Sequence, residues 1–432
     1  MRARHFTLES RDDTAAIAEA VRALSEPPGD VTAAVAKILR DVRERGDAAV
    51  HELTLRWDSE AAPESFRVPA DRIQAALEEI PADVRIGLDT AIANVGRLAS
   101  AEIADDLAVE MPEGQTITLR ELPVRRAGAY VPGGRAAYPS SVVMCCVPAQ
   151  VAGVGEIAVA TPPGPDGAAH PTILAACALC GVEEVYLMGG AQAIAALAYG
   201  TGTVAPVDVI VGPGNAYVQE AKRQVVGVVG IDGIAGPSEL LVVADAQASP
   251  RLVALDLAAQ AEHGPDTLVA VASPGADLLA AVEREAQALA AERDTVQDAA
   301  LALVRTGDLE SAVGLANAIA PEHLELACEG AAELADCVRA AGCVFLGSSG
   351  GTAFGDYAAG SNHVLPTGGA ARFSGPLGAR DFRRRQALVS LPAEAAHTLA
   401  PHVSSVARAE GFPVHAESAE ARRSTRAGRP QD

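Results

Sequence analysis

Between residues 128 and 346, short apolar runs alternate with segments of helical length, and this alternation constrains the fold more than any other feature. Residues 127–131 read as a strand that runs into Pro132-Gly133-Gly134-Arg135. Residues 142–154 are apolar, 156–160 a strand, 171–180 a helix, 185–188 a strand, 191–198 a helix and 207–211 a strand. After Ser238 a second run begins: strand 240–244, helix 250–263, strand 267–272, helix 276–292, helix 309–320, strand 324–327, helix 331–341 and strand 343–346. A helix that returns the chain to a parallel neighbouring strand is the βαβ unit. The two runs therefore predict an α/β protein with two parallel-sheet domains.

The flanks differ. From Pro28 to about Asp105 the pattern is helical. Residues 31–43 carry Val, Ala, Ile and Leu at three- and four-residue spacing behind Asp30 as N-cap, and 73–80 and 84–98 repeat the signature. Residues 347–378 are glycine-rich and lack a regular period. A loop of that length inside a compact domain is usually functional. Helical signals return over 392–409, and the polar end from Arg422 is expected to be disordered.

With 432 residues, 49% hydrophobic and 21% charged, the chain reads as a globular protein of two or three domains. The net charge of −22 argues against nucleic acid and anionic membrane surfaces, so an anionic cofactor needs a locally built site. Lys37 and Lys222 are the only lysines, a bias read as codon composition. No apolar stretch approaches the roughly 20 residues of a membrane span, and residues 1–13 lack a signal-peptide core. Seven cysteines fit reduced thiols in a cytoplasmic protein. Cys177 and Cys180 have redox or zinc spacing but sit in an apolar helical run, where core thiols are the better reading.

Four short segments carry titratable side chains. Ser249 and Pro250 open a helix that Gly264-Pro265 stops, which puts Gln260 and His263 on one face of its last turn. A helix carboxyl end favours a cation, while the two residues taken alone read more simply as a polar helix end. Glu322 and His323 follow Pro321 on the exit from a helix, a carboxylate beside an imidazole that suits general base work or, equally, a solvated dipeptide. Asp356 and His363 lie in the glycine-rich loop, which needs an anchor if it is not a mobile surface loop. Glu410 and His415 flank Gly411-Phe412-Pro413-Val414 in what also reads as an exposed tail. Imidazole nitrogens, an amide oxygen and a carboxylate together suit zinc. Glycine-rich elements also follow predicted strands at Tyr130-Val131-Pro132-Gly133, Gly189-Gly190-Ala191-Gln192 and Gly212-Pro213-Gly214-Asn215, where cofactors dock in parallel-sheet proteins. None reads G-x-G-x-x-G.

These blocks, in this order, resemble the histidinol dehydrogenase family from about Arg45 to His415. The resemblance is carried by Arg45-Gly46-Asp47-Ala48-Ala49-Val50, Tyr130-Val131-Pro132-Gly133-Gly134-Arg135, Gly212-Pro213-Gly214-Asn215-Ala216-Tyr217-Val218, Ala235-Gly236-Pro237-Ser238-Glu239, Gln260-Ala261-Glu262-His263, Ala320-Pro321-Glu322-His323-Leu324-Glu325 and Gly355-Asp356-Tyr357 through Thr367.

The resemblance implies zinc held by Gln260, His263, Asp356 and His415, the last from the partner subunit of a homodimer. It implies Glu322 and His323 as the catalytic pair and Ser238, His363 and Glu410 as substrate contacts beside the zinc ligands. Tyr130, Gln192 and Asn215 are then NAD contacts. The implied fold has two incomplete Rossmann-like domains with small N- and C-terminal segments exchanged across the dimer. Its expected layout is 1–27; 28–129 with 239–380 as the zinc and catalytic domain; 130–238 for NAD; 381–420 exchanged; and 421–432 a tail. The implied activity is oxidation of L-histidinol to L-histidine via the aldehyde with two NAD. The rivals are a zinc and NAD dehydrogenase for another polar alcohol, a zinc hydrolase, and a non-catalytic zinc-stabilised dimer.

Overall fold

The computed structural model describes residues 1–25, 29–61, 63, 65–133, 136–296 and 298–423. Pro28, Gly134, Arg135 and the polar end from Ser424 lie outside the described residues. In chain order the strands are β1 (Arg2–Thr7), β2 (Leu107–Glu110), β3 (Thr116–Pro123), β4 (Arg126–Tyr130), β5 (Glu156–Thr161), β6 (Glu184–Leu187), β7 (Val209–Val211), β8 (Gly230–Ile231), β9 (Glu239–Ala244), β10 (Leu268–Ser273), β11 (Ala300–Arg305), β12 (His323–Ala327), β13 (Cys343–Leu346) and β14 (Arg383–Ser390).

One compact unit comprises Met1–Glu102 and Val124–Phe382. It holds two sheets, ordered β1-β11-β10-β9-β12-β13 and β6-β5-β4-β7-β8. Every pairing in them is parallel. Leaving aside the edge strand β1, each sheet follows the order third, second, first, fourth, fifth. That is a Rossmann-like sheet short of its sixth strand. Each has a switch point, between β9 and β12 in one and between β4 and β7 in the other, where successive connections diverge to opposite sides.

The strands are continuous apolar runs because both faces are covered. Leu240, Val242 and Ala244 of β9 pack with Val253 and Leu257 of helix Pro250–Ala261 and with Leu279 and Val282 of helix Ala276–Glu292. The alternate residues Leu241 and Val243 pack with Val313 and Ala316 of helix Leu309–Ile319. Burying one such Leu or Val stabilises by about 1.5–3 kcal/mol. Local signals set the helix starts. Ser249 Oγ accepts from the Leu252 N–H at 3.5 Å with Pro250 behind it, and Asp308 Oδ1 accepts from Ser311 N–H at 2.6 Å. Asp30 Oδ1 accepts from Thr32 N–H at 2.9 Å before helix Thr32–Arg45.

The second unit, Ile103–Pro123 with Arg383–Asp432, contains an antiparallel sheet β14-β3-β2. Its helices Ala393–Ala409 and Pro413–Arg423 pack on each other. The second of these extends through Arg422 and Arg423, so the end of the chain stays ordered further than its polarity predicts. Among the described residues no helix is long and apolar enough to cross a membrane.

Candidate active site

The Glu322–His323 pair is buried, at 7% and 3% exposure, which rules out the solvated dipeptide. Helix Leu309–Ile319 ends on Ala320 in the left-handed conformation, φ +50°, and Pro321 prevents its continuation. The chain then enters β12 with His323 as its first residue. Cys343 N–H donates to the Glu322 carbonyl and Gly342 N–H to that of Pro321, both at 2.9 Å, which fixes the pair's backbone. His323 stands in register with Leu240, whose side chain packs with helix Pro250–Ala261. The imidazole therefore faces the end of that helix, where Gln260 lies.

This cluster sits at the amino edge of its sheet, because Ser238 precedes β9 and Glu322 precedes β12. Ligands of parallel sheets usually dock outside the carboxyl ends of the strands. Here a returning helix brings its own carboxyl end, with partial negative charge, to the opposite edge. Glu322 Oε2 accepts from the Glu239 N–H at 2.9 Å and lies 3.5 Å from Gln260 Nε2. The Gln260 amide is oriented by that contact, and its Oε1 is left buried without a partner. Helix Pro250–Ala261 ends before His263, so the two residues meet through a turn instead of a helical face. His263 is exposed and its Nδ1 donates to the Gln260 carbonyl at 3.0 Å, which leaves Nε2 available.

The glycine-rich segment is anchored. It contains the short helix Thr352–Tyr357, which carries Asp356. Asp356 Oδ1 lies 3.6 Å from His323 Nε2. His363 Nδ1 donates to the Asp356 carbonyl at 2.8 Å, and its Nε2 lies 3.3 Å from Ser141 Oγ. Next to it, Asn362 Nδ2 donates to the Met144 carbonyl at 2.8 Å. Phe345 of β13 covers the His323 ring, centroids 5.9 Å apart.

Burial dominates the electrostatics. It pushes the Glu322 carboxyl well above its ordinary range, with Glu239 and Asp356 adding repulsion. It raises Asp356 to about 6 against the pull of His263. His323 is lowered to about 3 and His363 to about 4, so both imidazoles are neutral at pH 7. Crowded, desolvated carboxyls and an orphaned amide oxygen are an environment that a cation satisfies. Among the described residues no three His, Cys, Asp or Glu side chains are gathered closely enough to form a metal cage by themselves. The amide of Gln260 falls outside that donor set. Ser238 is partly exposed, and its carbonyl accepts from Leu268 N–H at 3.0 Å. Glu410 and His415 belong to the second unit, where both are exposed.

In the other sheet Tyr130 and Gln192 are buried around a residue the sequence did not flag. Asp58 Oδ2 accepts from Gly189 N–H at 2.9 Å and from Gln192 Nε2 at 3.0 Å, while Tyr130 OH accepts from Gly190 N–H at 3.1 Å. Asn215 Oδ1 caps helix Ala216–Val225, accepting from Tyr217 and Val218 N–H. It also lines a cleft of about 370 Å³ with Gly214, Ala216, Gly236 and Asp30. Cys177 and Cys180 are free, buried thiols, and burial pushes Cys180 up to about 12, which suits core packing and not redox work.

Two parallel sheets in Rossmann-like order and a buried carboxyl–imidazole pair define an α/β enzyme with groups suited to moving protons. The family model for histidinol dehydrogenase matches residues 23–423. Histidinol dehydrogenase of Caulobacter vibrioides is 46% identical over 404 residues, covering 91% of this chain and 93% of its own length. That of Gluconobacter oxydans is 44% identical over 407 residues, covering 92% of each. The crystal structure of histidinol dehydrogenase from Elizabethkingia anophelis superposes with a TM-score of 0.89 at 30% identity, over 98% of both chains. The chain belongs to the histidinol dehydrogenase family and is an oxidoreductase.

Proposed function

We propose that this enzyme oxidises L-histidinol to L-histidine through bound L-histidinaldehyde, using NAD and one zinc ion per site. The observation that carries the metal reading is the orphaned Gln260 Oε1, buried beside Glu322 among raised carboxyls. Gln260, His263 and Asp356 would hold the zinc with His415 completing the set, and the ion would fix the substrate's amino and imidazole nitrogens while offsetting carboxylate charge. His415 and Glu410 would come from the partner chain of a homodimer, a reading their exposure supports. A monomer with full activity would contradict it. Two NAD molecules in succession, with Asn215 at the cleft and Tyr130 and Gln192 assigned by resemblance, would each accept one hydride.

The protein's own groups would handle the protons. His323, whose Nδ1 lies 3.7 Å from the Glu322 carboxylate, takes the hydroxyl proton as the alcohol becomes an aldehyde. Glu322, whose raised pKa makes its ionised form a stronger base, takes a proton from the water that attacks the aldehyde carbon. The hydrate then loses its second hydride and becomes the acid. Ser238 and His363 would contact the substrate, with His363 held by Asp356 and Ser141. Keeping the aldehyde bound between the two steps avoids release of a reactive intermediate.

Chelation should abolish turnover of histidinol and added zinc should restore it. Full activity in protein shown by elemental analysis to be metal-free would sink the zinc assignment.

A further inference from the structure

We propose that the buried pair Lys222–Asp232 is a positioning device for the dinucleotide, holding the 212–215 loop in its binding shape. This rests on the NAD reading above. Lys222 is one of two lysines in a chain with 34 Lys and Arg residues, and it is almost fully buried. Its Nζ donates to the Gly212 carbonyl at 3.0 Å and pairs with Asp232 Oδ1. The other carboxylate oxygen, Asp232 Oδ2, accepts from the Gly212 N–H at 2.7 Å. Both polar groups of one backbone residue are thus held by the two ends of one ion pair.

The place matters as much as the pair. Gly212 follows β7, and a Cβ there would fall on the Tyr130 carbonyl oxygen at the end of β4. Those two strands flank the switch point, where a cofactor crevice opens in parallel sheets. At φ +112° the residue has to be glycine, and such a conformation persists only when its surroundings enforce it. Three residues on, Asn215 caps the helix whose first turn lines the cleft, and Lys222 belongs to that same helix. The pair therefore ties loop, helix and the end of β8 together.

A buried ion pair adds little net stability compared with apolar residues of the same volume, so what it supplies here is geometry. Lysine suits the task because a compact ammonium meets a carbonyl and a carboxylate at one nitrogen. A guanidinium splays its donors and needs more room. A loop held in advance spares the cofactor the cost of ordering it.

The test measures equilibrium binding of NAD by calorimetry to wild type, Lys222→Arg and Asp232→Asn, with hydrogen exchange of residues 212–218 in the absence of NAD. Both variants should bind NAD about tenfold or more weaker. Exchange at 212–218 should quicken, and KM for histidinol should shift less than KM for NAD. Folded variants with the wild-type dissociation constant would overturn the proposal. So would failure of both to fold, which assigns the pair to folding alone. A wild-type enzyme that binds no NAD would instead refute the cofactor reading and take this inference with it.

Discussion

Glu322→Gln slows oxidation of histidinaldehyde by about 10²–10⁴-fold, the usual cost of a lost general base, and impairs the first hydride transfer less. Glutamine preserves the contact with the Glu239 N–H but cannot take a proton from water. Because Glu322 is placed outside the zinc ligand set, the variant should retain its metal. His323→Ala should impair both steps, since one imidazole lies between Glu322, 3.7 Å from Nδ1, and Asp356, 3.6 Å from Nε2. Single-turnover formation of NADH, started separately from histidinol and from histidinaldehyde, resolves the two. Equal losses on both substrates for Glu322→Gln, or loss of zinc, would refute this division of labour.

Arg126→Met lowers the melting temperature by several degrees and leaves the chemistry intact in the protein that stays folded. Arg126 is 1% exposed at the start of β4 and is bidentate with Glu184, at 2.6 and 3.1 Å, and paired with Glu156 at 2.9 Å. Removing one member of a buried charge network costs about 3–5 kcal/mol because its partners lose their counter-charge. The side chains of Glu184 and Glu156 are 27% and 48% exposed, so water recovers part of that, and about 3 kcal/mol is expected. The unit that holds Arg126 is larger than the domains for which each kcal/mol moves the midpoint by about 2–4 °C, so at about 1–2 °C per kcal/mol the shift is roughly 3–6 °C. A melting temperature unchanged within 2 °C, measured by circular dichroism at about the same pH, would mean the network is not structural.

The parallel sheets were legible because βαβ units leave strong periodic signals, and Ser249-Pro250 announces a helix start that the structure places where expected. Other elements were hidden for physical reasons. β1, Arg-Ala-Arg-His-Phe-Thr, is a largely exposed edge strand with no apolar alternation to read. β11 is a short apolar run, Ala-Leu-Ala-Leu-Val-Arg, that a buried helix would also produce. The antiparallel strands β3 and β14 pair across more than 250 residues, a distance that local pattern does not span. At the site, the residue types of Gln260, Glu322, His323 and Asp356 were visible, yet their burial was not. Nor was the amino-edge location, because it depends on where a returning helix ends. Glu239 acts through its backbone N–H, and Asp58, Ser141 and Phe345 act through contacts distant in sequence, so no local motif reports them. Lys222 had a signal, its rarity, which composition alone explained away.

The most direct test of the account is the yield of NADH per histidinol consumed by the zinc-loaded enzyme. Two equivalents of NADH for each histidinol, with histidine as the product and no free aldehyde trapped, is the predicted result. One equivalent with the aldehyde released, or histidinol consumed without NADH, would contradict it.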